Sequence, residues 1–107
     1  MDKRIIENGI KDIILKYISV ITQYYNVEAI ILFGSFAKGT NTEDSDIDIA
    51  VILKDSNLDV IDEELNLMRL RRKIDTRIEP HIIRIEDYKN VVTPFVKEVI
   101  ETGIKVA

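Results

Sequence analysis

The sequence predicts a single α/β domain of the α+β kind over residues 1–107, a small mixed three-stranded sheet flanked by helices. Three observations predict it. Two strand-length, largely apolar runs, 27–33 and 46–53, stand on either side of a polar stretch, and a third strand is read at 76–83. Before the first run, and again between the second and third, apolar residues recur at three- and four-residue spacing, the period of a helix that packs by one side. No internal repeat, low-complexity tract or linker rich in Pro, Gly or Ser interrupts this order, which suits one mixed sheet covered by helices.

Residues 3–24 read as one amphipathic helix, because Ile5, Ile6, Ile10, Ile13, Ile14, Tyr17, Ile18, Ile21 and Tyr24 or Tyr25 fall on one stripe, read as core. Val27–Phe33 is a buried strand. Residues 35–38 begin a short helix or helical turn, with Ser35 a suitable cap, and the polar stretch 39–45 is a loop leading into strand 46–53. The next helix carries Leu58, Ile61, Leu65 and Met68 on one face. Its acids, Asp59, Asp62, Glu63 and Glu64, come early and its bases, Arg69, Arg71, Arg72 and Lys73, come late, the order that complements the helix dipole. A third strand follows at 76–83 and a turn at 85–89. Pro94 suits the start of a last helix containing Phe95, Val96, Val99 and Ile100, and Gly103 its end.

Composition bounds the function. With 46% hydrophobic and 32% charged residues the chain is ordinary for a soluble domain. No apolar run approaches the ~20 residues that span a bilayer, and Met1-Asp2-Lys3-Arg4 leads into charged amphipathic sequence, so a cytoplasmic protein with no membrane partner is expected. Absence of cysteine excludes disulfides, thiolate catalysis and Cys-ligated zinc. A net charge of −4 argues against tight, unspecific nucleic-acid binding, which depends on neutralising phosphates.

Chemistry concentrates in the middle of the chain. Gly34-Ser35 directly follows the first strand, and ten residues later Asp46-x-Asp48 opens the second. Residues at i and i+2 of a strand share a face, so the two carboxylates project together. The next same-face positions, Ala50 and Ile52, are apolar. Two like charges at the rim of a core call for a compensating cation, and Mg²⁺ takes one or two carboxylates together with substrate phosphates. Backbone N–H groups at a Gly-Ser turn can bind those phosphates. An EF-hand reading of Asp44, Asp46, Asp48 and Asp55 fails because its sixth position, which must be glycine, is Ile49.

This pattern resembles the signature of the DNA polymerase beta-like nucleotidyltransferase superfamily, and the short chain looks like its minimal nucleotidyltransferase (MNT) branch. The resemblance covers almost the whole chain. It implies a third carboxylate on the last strand, for which Glu79 is the matching residue where most relatives have Asp, and a basic residue, here Lys38, near the phosphates. Asp46, Asp48 and Glu79 would then be the catalytic, metal-holding residues of a site with two Mg²⁺ ions, and Gly34, Ser35 and Lys38 would bind ATP, the substrate. For the Gly-Ser turn to face the Asp pair, the first two strands should run antiparallel. The third should return parallel to the second and bring Glu79 beside Asp46 and Asp48.

The activity so implied is transfer of AMP from ATP to a hydroxyl. Similar free-standing proteins are antitoxins that bind a helical HEPN-type toxin and modify its tyrosine, which also implies a homo- or hetero-oligomer. Neutralisation by binding alone, and nucleotidylation of a small molecule, are the rival readings. His81, two residues beyond Glu79 and on its strand face, reads first as a satisfied structural histidine and second as a base or nucleotide contact. Glu79 has its own plain alternative as an exposed ion-pair partner of Arg77 or a neighbouring Lys. The cluster Arg69, Arg71, Arg72, Lys73 and Arg77 reads first as a dipole-complementing helix end and second as a partner surface.

Overall fold

The computed structural model describes residues 8–54 and 59–107; the readings at Ile5, Ile6, Asp55 and Leu58 lie outside the described residues. In chain order the elements are α1 (Asn8–Ile21), β1 (Val27–Phe33), α2 (Ser35–Lys38), β2 (Ile47–Leu53), α3 (Val60–Leu70), a 3-10 turn (Arg71–Lys73), β3 (Ile78–Arg84), α4 (Ile85–Asn90), α5 (Pro94–Thr102) and β4 (Ile104–Lys105). The sheet order is β3-β2-β1-β4. As expected, β2 runs antiparallel to β1 and parallel to β3. No helix among the described residues is long and apolar enough to cross a membrane.

The sheet has four strands rather than three. Two-residue β4 pairs antiparallel with β1 through Ile31 and Leu32, and Val106 N–H extends the pairing to the Ile30 carbonyl at 2.8 Å. A strand this short carries no periodicity to read; its partner defines it. Gly103 lets the chain turn into it, because a Cβ there would collide with Ile31 and the Val99 carbonyl. At the opposite edge, β3 tolerates Pro80, whose missing N–H is harmless on an edge strand. Glu64 of α3 accepts a hydrogen bond from the Ile82 N–H of that edge at 3.1 Å.

Alternate residues of each strand face opposite sides. Ile30, Leu32, Ile47, Ile49, Val51, Leu53, Ile78 and Ile82 belong to a core closed by α1 (Ile10, Ile14, Tyr17, Ile21) and by Leu67 of α3. The Tyr17 hydroxyl donates to the Leu67 carbonyl at 2.6 Å and ties the two helices together. Burial pushes that phenol's pKa up. Ala29, Ile31, Ala50, Ile52 and Ile83 form a second, smaller core under Val96 and Val99 of α5, with Phe33, Ile85 and Tyr88 packed against it.

Two expectations need correction. The 85–89 segment is helix α4, not a turn. Ile85 and Tyr88, three apart, pack on the second core, and six residues are too few to show a helical period. In α3 the buried residues are Glu63 and Leu67, with Val60 and Leu70 packed beside them. Ile61 and Leu65, the visible apolar face, are 69% and 48% exposed. Both rows share helical spacing, and the charge of Glu63 disguised the one that packs.

Candidate active site

The site forms where β1 ends and β2 begins. Gly34 leaves β1 with φ 73° and ψ −151°, a conformation for which only glycine is suited. Space is tight as well: a Cβ on Gly34 would lie 2.5 Å from Asp48 Oδ2, so that carboxylate would have to shift. The Gly-Ser turn and the carboxylate are therefore in close approach, as the motif spacing required. From there α2 makes a single turn, closed by the Lys38 N–H to Gly34 carbonyl bond at 3.1 Å and by a left-handed Gly39. Gly34 is the residue that precedes this helix. Ser35 is thus its first helical residue rather than its cap.

Strand register assembles the acids. Asp48 is paired with Phe33 across the antiparallel ladder and with Glu79 across the parallel one. Two residues further, Ala50 is opposite His81, so His81 shares the face of Glu79. Asp48, Glu79 and His81 each offer a ligand atom within 4.8 Å of the others. Asp46, exposed and immediately before β2, stands outside that group, yet it is near enough for its charge to act on Asp48. The structure thus brings Asp48 and Glu79 together directly and leaves Asp46 at the rim.

His81 differs from its first reading. Its Nε2 lies 3.5 Å from Asp48 Oδ1, too long for a full hydrogen bond, and this buried nitrogen has no hydrogen-bond partner among the described residues. It is a ligand-capable atom aimed at the carboxylates, not a satisfied structural group. The signal for it was present in the sequence, in the two-residue spacing from Glu79. Burial raises the Asp48 pKa above the usual carboxylate value, the His81 contact opposes that shift, and the charge of Asp46 adds to it. Two carboxylates and an unsatisfied imidazole nitrogen are a donor set that fits a divalent cation, oxygen-rich enough for Mg²⁺ or Mn²⁺.

Aromatic rings wall one side of this group. His81 meets Phe33 edge-on with centroids 5.2 Å apart, Phe33 meets Phe95 of α5 at 5.5 Å, and His81 and Phe95 are 5.7 Å apart. Helix α5 also reaches the turn, where Glu98 pairs with Lys38 at 3.2 Å, both largely exposed. Lys38 therefore stands at the turn but is held by a carboxylate. Arg77 is paired with Asp75 at 2.8 Å, and its hydrogen bond lowers the Asp75 pKa. Arg71 donates to the Ile78 carbonyl at 2.7 Å and so buttresses the start of β3.

Comparison with known proteins agrees with this geometry. The family described as polymerase beta, nucleotidyltransferase matches residues 16–107. The chain is 37% identical over 95 residues, 89% of its length and 91% of the other, to a Methanocaldococcus jannaschii protein named "putative protein adenylyltransferase". Among solved structures it is similar to a toxin–antitoxin with AMP-PNP (TM-score 0.66, 26% identity, 91% of this chain and 72% of that one). A mutant of the toxin–antitoxin MntA-HpeT shares the fold (TM-score 0.59, 21% identity, covering 91% of this chain and 72% of that one). Strand register, turn geometry and sequence converge, and the chain belongs to the polymerase beta nucleotidyltransferase family.

Proposed function

We propose that this nucleotidyltransferase moves AMP from ATP onto a hydroxyl of a partner protein, a tyrosine of a HEPN-type toxin, and so acts as its antitoxin. The observation that carries this reading is the in-register Asp48 and Glu79 pair set against the Gly34 turn. The names of its relatives support transfer to a protein and an antitoxin role: one is described as a protein adenylyltransferase, and another is a toxin–antitoxin with an ATP analogue.

Such displacement asks a protein for positioning and charge neutralisation more than for covalent chemistry. Two Mg²⁺ ions, when bound, neutralise the charge on the entering and leaving oxygens. Asp46, Asp48 and Glu79 would hold them, with His81 beside Glu79 on the same strand face. Gly34 and Ser35 place backbone N–H groups at the β- and γ-phosphates. Lys38 exchanges Glu98 for phosphate. The acceptor oxygen forms its bond to the α-phosphorus, the bond to the bridging oxygen breaks, and pyrophosphate leaves. The hydroxyl proton passes to Glu79.

The test is to incubate the partner with this protein, ATP and Mg²⁺, then separate the two. The expected result is a partner heavier by one AMP that stays inactive as a ribonuclease after separation. An unmodified partner that recovers activity, and is neutralised equally well by Asp48→Asn, would mean neutralisation by binding alone.

A further inference from the structure

Helix α3 presents a row of apolar side chains away from the sheet. Ile61 and Leu65 are 69% and 48% exposed, and Met68 is half-buried. Leu65 and Met68 wall a hollow of about 290 Å³ whose rim is Arg69, Arg71 and Arg72. Across Arg69 a second hollow, about 250 Å³, reaches Tyr24 and Tyr25 at the end of α1, where Tyr24 is 67% exposed. An apolar patch on the outer face of α3 is therefore bordered by arginines, with Arg69 standing between it and an exposed aromatic ring. Contiguous patches of this kind, rimmed by charge, mark association surfaces.

Its charges are ordered. Asp62 lies on the outer face at the start of α3, and Arg69 and Arg72 lie on it near and just beyond the end, all three exposed. Arg71, by contrast, is committed to the Ile78 carbonyl of its own chain. The face is thus acidic at one end, apolar in the middle and basic at the other. Laid parallel, two such faces set like charges against each other. Laid antiparallel about a two-fold axis they match, since a two-fold interface pairs each patch with itself in reverse. An acidic or a basic partner of uniform sign would match only half of the face.

We propose that the outer face of α3 pairs two copies of this chain antiparallel, with Ile61, Leu65 and Met68 at the centre and Asp62 of each copy against Arg69 and Arg72 of the other. Arg69 needs only to give up an exposed 3.3 Å contact with Asn66. The pairing surface lies on the far side of the sheet from Asp48, Glu79 and His81, because α3 packs on the first core and those residues face the second. Both active sites of the pair would remain open to acceptors.

Light scattering on the eluting full-length protein at tens of micromolar tests this. The wild type should have the mass of a dimer, with the dimer weakened by salt. Leu65→Glu should be a folded monomer with unchanged nucleotidyl transfer, and its melting temperature, unlike that of the wild type, should not depend on protein concentration. Asp62→Arg should weaken association at least about tenfold, a Kd shift of some 1.4 kcal/mol, and Asp62→Arg with Arg69→Asp should restore it. A monomeric wild type, a Leu65→Glu protein that stays dimeric, or a double reversal that rescues nothing would each overturn the proposal. A wild type that is monomeric alone but binds a different protein through Leu65 would assign the face to that protein instead.

Discussion

The two faces of the sheet are built from alternate residues of the same strands and do different work. Along β2, Ile47, Ile49, Val51 and Leu53 all enter the core beneath α1 and α3. Between them, Asp48, Ala50 and Ile52 face the other way, from a carboxylate at the strand's start into a smaller core under α5. The first face is apolar from end to end. The second is apolar at one end only, and at the other it carries Asp48, Glu79 and His81, with an unsatisfied nitrogen and a like-charge neighbour. Stability concentrates on the first face, while the second gathers groups that cost stability, a combination that tends to mark a functional site.

The sharpest way to break this division is to mutate each face and read both activity and stability. Asp48→Asn or Glu79→Gln should reduce nucleotidyl transfer at least about 100-fold with no loss of melting temperature. Glu79→Asp should retain measurable transfer, since the carboxylate survives. A stability loss that matches the activity loss would show the site to be structural.

On the first face the pattern should invert. Ile14 is fully buried, and Ile14→Ala should cost about 2–5 kcal/mol in denaturant unfolding. Below its transition the variant should turn over normally. A change in kcat without a change in stability would refute the separation of the faces.

The smallest expected effect separates two aspartates by the sign of their pH dependence in the metal-free protein. Asp48 has a raised folded-state pKa, from burial first. The folded chain then holds its proton more tightly than the unfolded one, so stability falls as pH rises from the ordinary carboxylate value through the raised one. Asp75, lowered first by its Arg77 hydrogen bond, contributes stability above the ordinary value that is lost as pH falls through the lowered one. Asp48→Asn should therefore raise the melting temperature at neutral pH, and Asp75→Asn should lower it. Both differences should vanish in acid. Thermal scans at several pH values decide this, and equal signs would show that burial does not govern Asp48.

The sequence by itself determined what depends on local period and local chemistry. The bounds of β1 and α2, the parity that puts Asp48 on the face of Ala50 and Ile52, and the Gly34 turn beside that carboxylate were legible because strand alternation and backbone sterics act within a few residues. The antiparallel and parallel strand directions followed from asking what the motif needs. Tertiary structure decided what depends on partners distant in the chain. It selected the Glu63 and Leu67 row of α3 over the more apolar Ile61 and Leu65 row, since two rows with the same spacing differ only in what they meet. It made two residues of the last segment into β4 by giving them β1. It aimed His81 Nε2 at Asp48 and tied Lys38 to Glu98, 60 positions away. Hydrophobic spacing shows that a helix has a buried side; only the long-range packing, which sums many weak contacts at once, decides which side that is.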